Sequence, residues 1–164
     1  MNFWKKLLFP ILLVLIYTGC TTPKPSTQKS TFIVMKTPVF RYADQGFVNK
    51  SGSDTNIEIY ASGTPVMKLE IGSTQVCSGS GLFSCMSKSE FNKRFLSASY
   101  PPDTLEKIFR GERVFAGIGI SEQGDGFTQS ISKDSLYDIS YSVFNGSIVF
   151  RDTINNILIK VRDS

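Results

Sequence analysis

The chain has 164 residues, with 18 basic and 14 acidic side chains, a net charge of +4 and no histidine. That length supports one domain with a real core, and the missing imidazole removes the commonest general base and metal ligand at neutral pH. The basic residues form no cluster on any one predicted element, so the charge balance gives no ground for nucleic-acid binding.

Residues 1–20 read as an export signal. Lys5 and Lys6 precede an apolar run from Leu7 to Tyr17, followed by Thr18-Gly19-Cys20. The run carries Pro10 and falls well short of the roughly 20 apolar residues of a spanning helix. Gly19-Cys20 at its end resembles the lipobox of bacterial lipoproteins, with Tyr17 where that pattern usually has leucine. The resemblance implies that residues 1–19 are a lipoprotein signal peptide and that Cys20 becomes diacylated and N-acylated. Two acyl chains suffice for stable anchoring, at ~0.8 kcal/mol per buried methylene. Thr21 stands where an aspartate would signal inner-membrane retention. The implied location is therefore the outer membrane, lipid-anchored, on its periplasmic face. The alternative is an ordinary signal peptide with a cysteine nearby.

Residues 20–31 are expected to be a lipidated tether, with two prolines and no apolar periodicity. Residues 32–164 are expected to form a single domain. Phe32 to Phe47 reads as one or two strands interrupted by Pro38. Ile57, Ile59 and Ala61 alternate with polar neighbours, as do Met67, Leu69 and Ile71, and Ser62-Gly63-Thr64-Pro65 lies between the two runs. Two period-2 runs around a glycine turn predict an antiparallel hairpin. A short strand from Thr74 to Cys77 follows. In an oxidising envelope compartment Cys77 and Cys85 form a candidate disulfide across a Ser/Gly-rich connector; two buried thiols are the alternative. Two cysteines are too few for a structural zinc site, and no cofactor is expected.

Two helices come next. Ser87-Lys88-Ser89-Glu90 is a capping box, with Phe91, Phe95 and Ala98 on one face. Asp103 is expected to cap a second helix whose stripe is Leu105, Ile108 and Phe109 and whose end is Gly111. Glu112 to Gly126 is glycine-rich and reads as a loop or irregular strand without a phosphate-loop pattern. Ile139, Tyr141 and Val143 alternate, Asn145-Gly146 predicts a hairpin, and strands follow over Ser147–Arg151 and Ile157–Val161. Strands, two short helices, then strands give an α+β class: a curved antiparallel sheet with helices on one side.

The run from Ile57 to Phe115 resembles the middle of the LolB-type outer-membrane lipoprotein receptors, relatives of the carrier LolA. The matching parts are Ile57-Glu58-Ile59-Tyr60, Gly63, Met67-Lys68-Leu69-Glu70-Ile71, Phe91 to Leu96 and Pro101-Pro102-Asp103-Thr104-Leu105 through Gly111. Ser147 to Arg151 and Ile157 to Val161 are similar to that family's last two strands. The resemblance implies an incomplete β-barrel covered by helices around an apolar cavity for acyl chains or a lipoprotein, with a LolA-like carrier as partner. Its candidate lining is Ile57, Ile59, Met67, Leu69 and Ile71 from the strands and Phe91, Phe95, Leu105 and Phe109 from the helices. Phe150 and Ile159 complete it from the last hairpin. A packed core uses the same residue types.

Two departures from the family stand out. Ser62 occupies the position of that family's protruding leucine, and the Cys77/Cys85 pair is not one of its hallmarks. The cysteine loop carries Leu82 and Phe83, either as a membrane or cargo contact or tucked under the helices. The leading expectation is an anchored binding protein in lipoprotein localisation. The alternative is a structural or assembly lipoprotein with a filled core that docks an envelope complex. No residue spacing nominates an enzyme.

Overall fold

The structure is a computed structural model that describes residues 30–79, 81 and 83–164. The signal peptide, lipidation at Cys20, residues 20–29 of the tether, and Leu82 lie outside the described residues. The first strand, β1 (Ser30–Lys36), begins two residues inside the segment expected as tether. It is followed by β2 (Arg41–Ser51), β3 (Asp54–Ala61), β4 (Thr64–Ile71), β5 (Gln75–Ser78) and the two-residue β6 (Met86–Ser87). Helices α1 (Lys88–Phe95) and α2 (Thr104–Arg110) come next. Then come β7 (Ile120–Gln123), β8 (Gly126–Lys133), β9 (Tyr137–Phe144), β10 (Ser147–Asp152) and β11 (Ile157–Asp163).

All eleven strands form one antiparallel sheet in the order β6-β5-β4-β3-β2-β1-β11-β10-β9-β8-β7. The sheet is curved and does not close. The first and last strands meet in its middle, where β1 pairs with both β2 and β11. Inward positions alternate along the strands, as in Ile33 and Met35 on β1 and Ile148 and Phe150 on β10, with one register shift in the β3–β4 pair between Ile59 and Tyr60. Two hairpins turn as their sequences predict. Ser62-Gly63 and Asn145-Gly146 each place both central residues at positive φ, matching the twist of the flanking strands.

The helices lie against the sheet's apolar face and share its core. Ser87 caps α1, its hydroxyl accepting from the Glu90 amide at 3.1 Å. Ala98 is exposed beyond the helix end, and Leu96 is buried instead. Asp103 makes no side-chain cap. Its ψ of 1° departs from the extended conformation that aims a capping oxygen at the next amides, and its carboxylate pairs with Lys107 at 2.6 Å instead. Gly111 ends α2 in the left-handed conformation.

The glycine-rich stretch resolves into a 3-10 turn, Phe115–Gly117, and the edge strand β7. Gly119 is required there: its φ is +68°, and a Cβ would sit 2.0 Å from the Ser130 carbonyl oxygen. Strand β8 had no counterpart in the sequence reading. Its inward residues are Phe127, Gln129 and Ile131, and the glutamine interrupts the apolar alternation that marks a strand.

Candidate functional site

The interior was the expected place for a ligand. Of the eleven side chains expected to line a cavity, ten are at most 2% exposed, and Phe95 is 5% exposed. A side chain lining a chamber large enough for water presents surface to it even when the chamber is sealed from bulk solvent. These present essentially none. Phe91 and Phe95 have centroids 4.8 Å apart, and Phe40 stacks on Phe95 at 4.7 Å. On the other half of the sheet Phe150 packs edge-on against Tyr141 and Tyr100, each at 5.9 Å. The side chains touch one another, and room for an acyl chain among them requires the helices to move.

Polar contacts hold the helices in place. Lys88 on α1 reaches Glu106 on α2 at 2.6 Å in a largely buried ion pair, and Asn92 Nδ2 donates to the Pro101 carbonyl at 2.7 Å. At the end of α2, the Arg110 guanidinium donates to the Gly52 carbonyl at 2.9 Å and to Thr55 Oγ1 at 3.1 Å. Lys50 Nζ donates back to the Arg110 carbonyl at 3.1 Å. Burial, and then the Arg110 charge, lower the Lys50 pKa from its ordinary value.

The loop between the helices is fixed to the β10–β11 turn. Tyr100 Oη donates to Asp152 Oδ2, a buried carboxylate that also accepts from the Asp138, Ile154 and Asn155 amides and from Asn155 Nδ2. With both oxygens occupied, this carboxylate has no free face for a substrate. Gln129 acts similarly beneath the 3-10 turn. It accepts from the Val114 amide and donates to the Val114 and Ile118 carbonyls, standing in for strand pairing that the turn cannot make.

Open space lies at the surface. A cleft of about 580 Å³ opens between the end of α2 and the sheet, walled by Val48, Lys50, Phe109, Gly111, Ile148 and Val161. Its size falls in the range of small-ligand sites, and its lining mixes these apolar groups with Thr31, Asn49, Arg110 and Asp163. Cys77 and Cys85 are joined in a disulfide. Phe83, expected either as a membrane or cargo contact or tucked under the helices, is half-buried and packs against Phe91 and Phe95 at 5.8 and 5.2 Å; the disulfide loop uses it to seat on α1. Among the described residues no group of three or more His, Cys, Asp or Glu side chains is placed to hold a metal ion. Sequence reasoning missed Tyr100, Asp152, Gln129 and Arg110, because each acts through a partner distant in the chain. No known protein family's sequence profile matches the chain, and no curated protein sequence matches it.

Proposed function

We propose that this chain is an outer-membrane lipoprotein, anchored through Cys20 on the periplasmic face, whose LolA/LolB-like half-barrel serves as a docking module for an envelope partner. The observation that carries this reading is the filled interior, in which side chains suited to lining a cavity interlock. A domain that holds cargo inside needs space there; one that docks by its surface needs a rigid core. The capped and latched helices give it that rigidity.

A second reading, carriage of acyl chains or a lipoprotein, is supported by the cleft beside α2. In that reading the Arg110 and Lys88 contacts release, the helices swing out and the cleft extends inward. Mass spectrometry of the gently extracted protein separates the two. Docking predicts no stoichiometric lipid or acylated peptide beyond the chain's own anchor, and carriage predicts one bound per chain. Replacing Cys20 with Ala tests the anchor itself: release from the membrane fraction, or failure of processing, is expected, and unchanged fractionation refutes it.

A further inference from the structure

Residues 30–164 hold fourteen basic and fourteen acidic side chains, so the domain itself is neutral. Its charge is nevertheless segregated. Along β2, β1, β11 and β10, alternate side chains point away from the core. Register sets Arg41 directly opposite Lys36, and Leu158 opposite both Lys36 and Arg151. Lys160 and Arg162 continue the same outer face along β11.

Five cations therefore share the outer face of four adjacent strands, and no outward position on those strands is acidic. Asp44, Asp152 and Asp163 all stand at inward positions. Two acids stand at the β8–β9 side of this corner: Asp134, exposed in the turn beside Leu136, and Asp138 on β9, which accepts from Thr153 Oγ1 at 2.8 Å. Among the described residues, none of the five cations takes part in an ion pair or side-chain hydrogen bond. Like charges set directly opposite on a sheet are destabilising, so folding alone does not account for this row.

Three exposed aliphatic side chains stand where that row ends. Val39, Leu136 and Ile154 are 56%, 41% and 45% exposed, each at the tip of a turn. The β1–β2, β10–β11 and β8–β9 turns that carry them follow one another along the same end of the sheet. Asn155 Nδ2 donates to the Leu136 carbonyl at 2.7 Å, tying two of the tips together. A cleft of about 280 Å³ opens beside them between Lys36 and Arg151.

We propose that this corner is a docking site for an anionic phospholipid surface, with Arg41, Lys36 and Arg151 on the headgroup phosphates and the three aliphatic tips in the acyl boundary. Basic side chains ringing aliphatic ones match that interface. Single-stranded nucleic acid, the other large polyanion, is held by aromatic platforms, and these tips are aliphatic. The site goes beyond the anchor reading and is compatible with it. Ten residues from Cys20 to Ser30 reach about 35 Å when extended, against roughly 23 Å for the length of β1. The domain can therefore lie with this corner on the leaflet that holds its anchor.

The test places an indole at the tip. Mature lipidated protein carrying I154W, whose only other tryptophan, Trp4, leaves with the signal peptide, is reconstituted into vesicles of phosphatidylcholine alone, or of phosphatidylcholine and phosphatidylglycerol in equal parts. Emission is expected to shift to the blue, and to be quenched by brominated acyl chains, only in the anionic vesicles. K36Q/R41Q/R151Q should lower the ratio of inserted to free tips about a hundredfold, at roughly fivefold per cation, while K36R/R41K/R151K retains it. Equal emission in the two compositions, or full insertion by the glutamine variant, overturns the proposal. An unshifted tip on anionic vesicles from a protein that binds single-stranded RNA through these cations overturns it too. Flotation with the neutral vesicles reports the lipid anchor separately.

Discussion

Replacing Tyr100 with Phe removes one hydroxyl from a buried carboxylate and leaves the ring's packing against Phe115, Tyr137 and Phe150 in place. Asp152 is 1% exposed and keeps its three backbone amides and Asn155, so the variant loses one hydrogen bond to a charged group. Such a bond contributes about 1.5–3 kcal/mol. For a domain of this size that corresponds to a fall of about 6–12 °C in Tm. Urea unfolding followed by circular dichroism at pH 7 measures it, with Tyr60→Phe on the outer face as control.

The same substitution has a pH signature. Burial first, and the Asp152 hydrogen bond second, raise the Tyr100 pKa well above its ordinary value; burial, and then Glu112, raise that of Tyr141. A folded-state pKa above the unfolded one leaves stability intact below the unfolded value, about 10 for tyrosine, and erodes it as pH rises toward the folded value. Each tyrosine contributes a slope of about 1.4 kcal/mol per pH unit in that alkaline window. Tyr100→Phe should remove the Tyr100 slope and so shrink the alkaline loss. A change below about 0.5 kcal/mol at pH 7, the range of ordinary surface substitutions, together with an unaltered alkaline limb, refutes the reasoning.

Three further outcomes follow from the packing. Phe150→Ala in a filled core should cost about 3–5 kcal/mol in chemical denaturation, and a loss under about 2 kcal/mol would mean that the ring borders open space. Lys88→Met strands the Glu106 carboxylate and should cost about 3–5 kcal/mol, with Lys88→Met/Glu106→Leu recovering most of it; a double variant as unstable as the single one refutes the pairing. Cys77→Ser/Cys85→Ser opens a loop with a sequence separation of 8 and should lower stability by about 2.5 kcal/mol. Reductant should bring the parent to the same urea midpoint, and a parent already at that midpoint without reductant would show the bond absent.

Local rules carried the reading wherever an element states its own period. The β3–β4 hairpin, the Ser87 cap, the Gly111 stop and the Asn145-Gly146 turn each depend on residues within four positions of one another. The reading faltered where the deciding partner is remote. Gln129 disguised β8 because its amide is satisfied by a loop eleven to fifteen residues away, and Asp103 was diverted from capping by Lys107. Cavity and core draw on the same apolar residues, so Ile57, Met67 and Phe150 could not by themselves declare which they form. The basic face was invisible for a related reason. Its cations lie on four strands, and only the register of β1 between β2 and β11 brings them together.

The central position of β1 also determines how the domain meets mechanical load. A pull that reaches the fold through residue 30 and is opposed at the far end of the sheet acts along the axis of a strand hydrogen-bonded on both flanks, seven residue pairs to β2 and six to β11. Those bonds run across the strand, so tension shears them together and does not unzip them singly. A chain gripped at its first strand in this way resists being dragged from its N-terminus far better than one whose first strand lay at the edge.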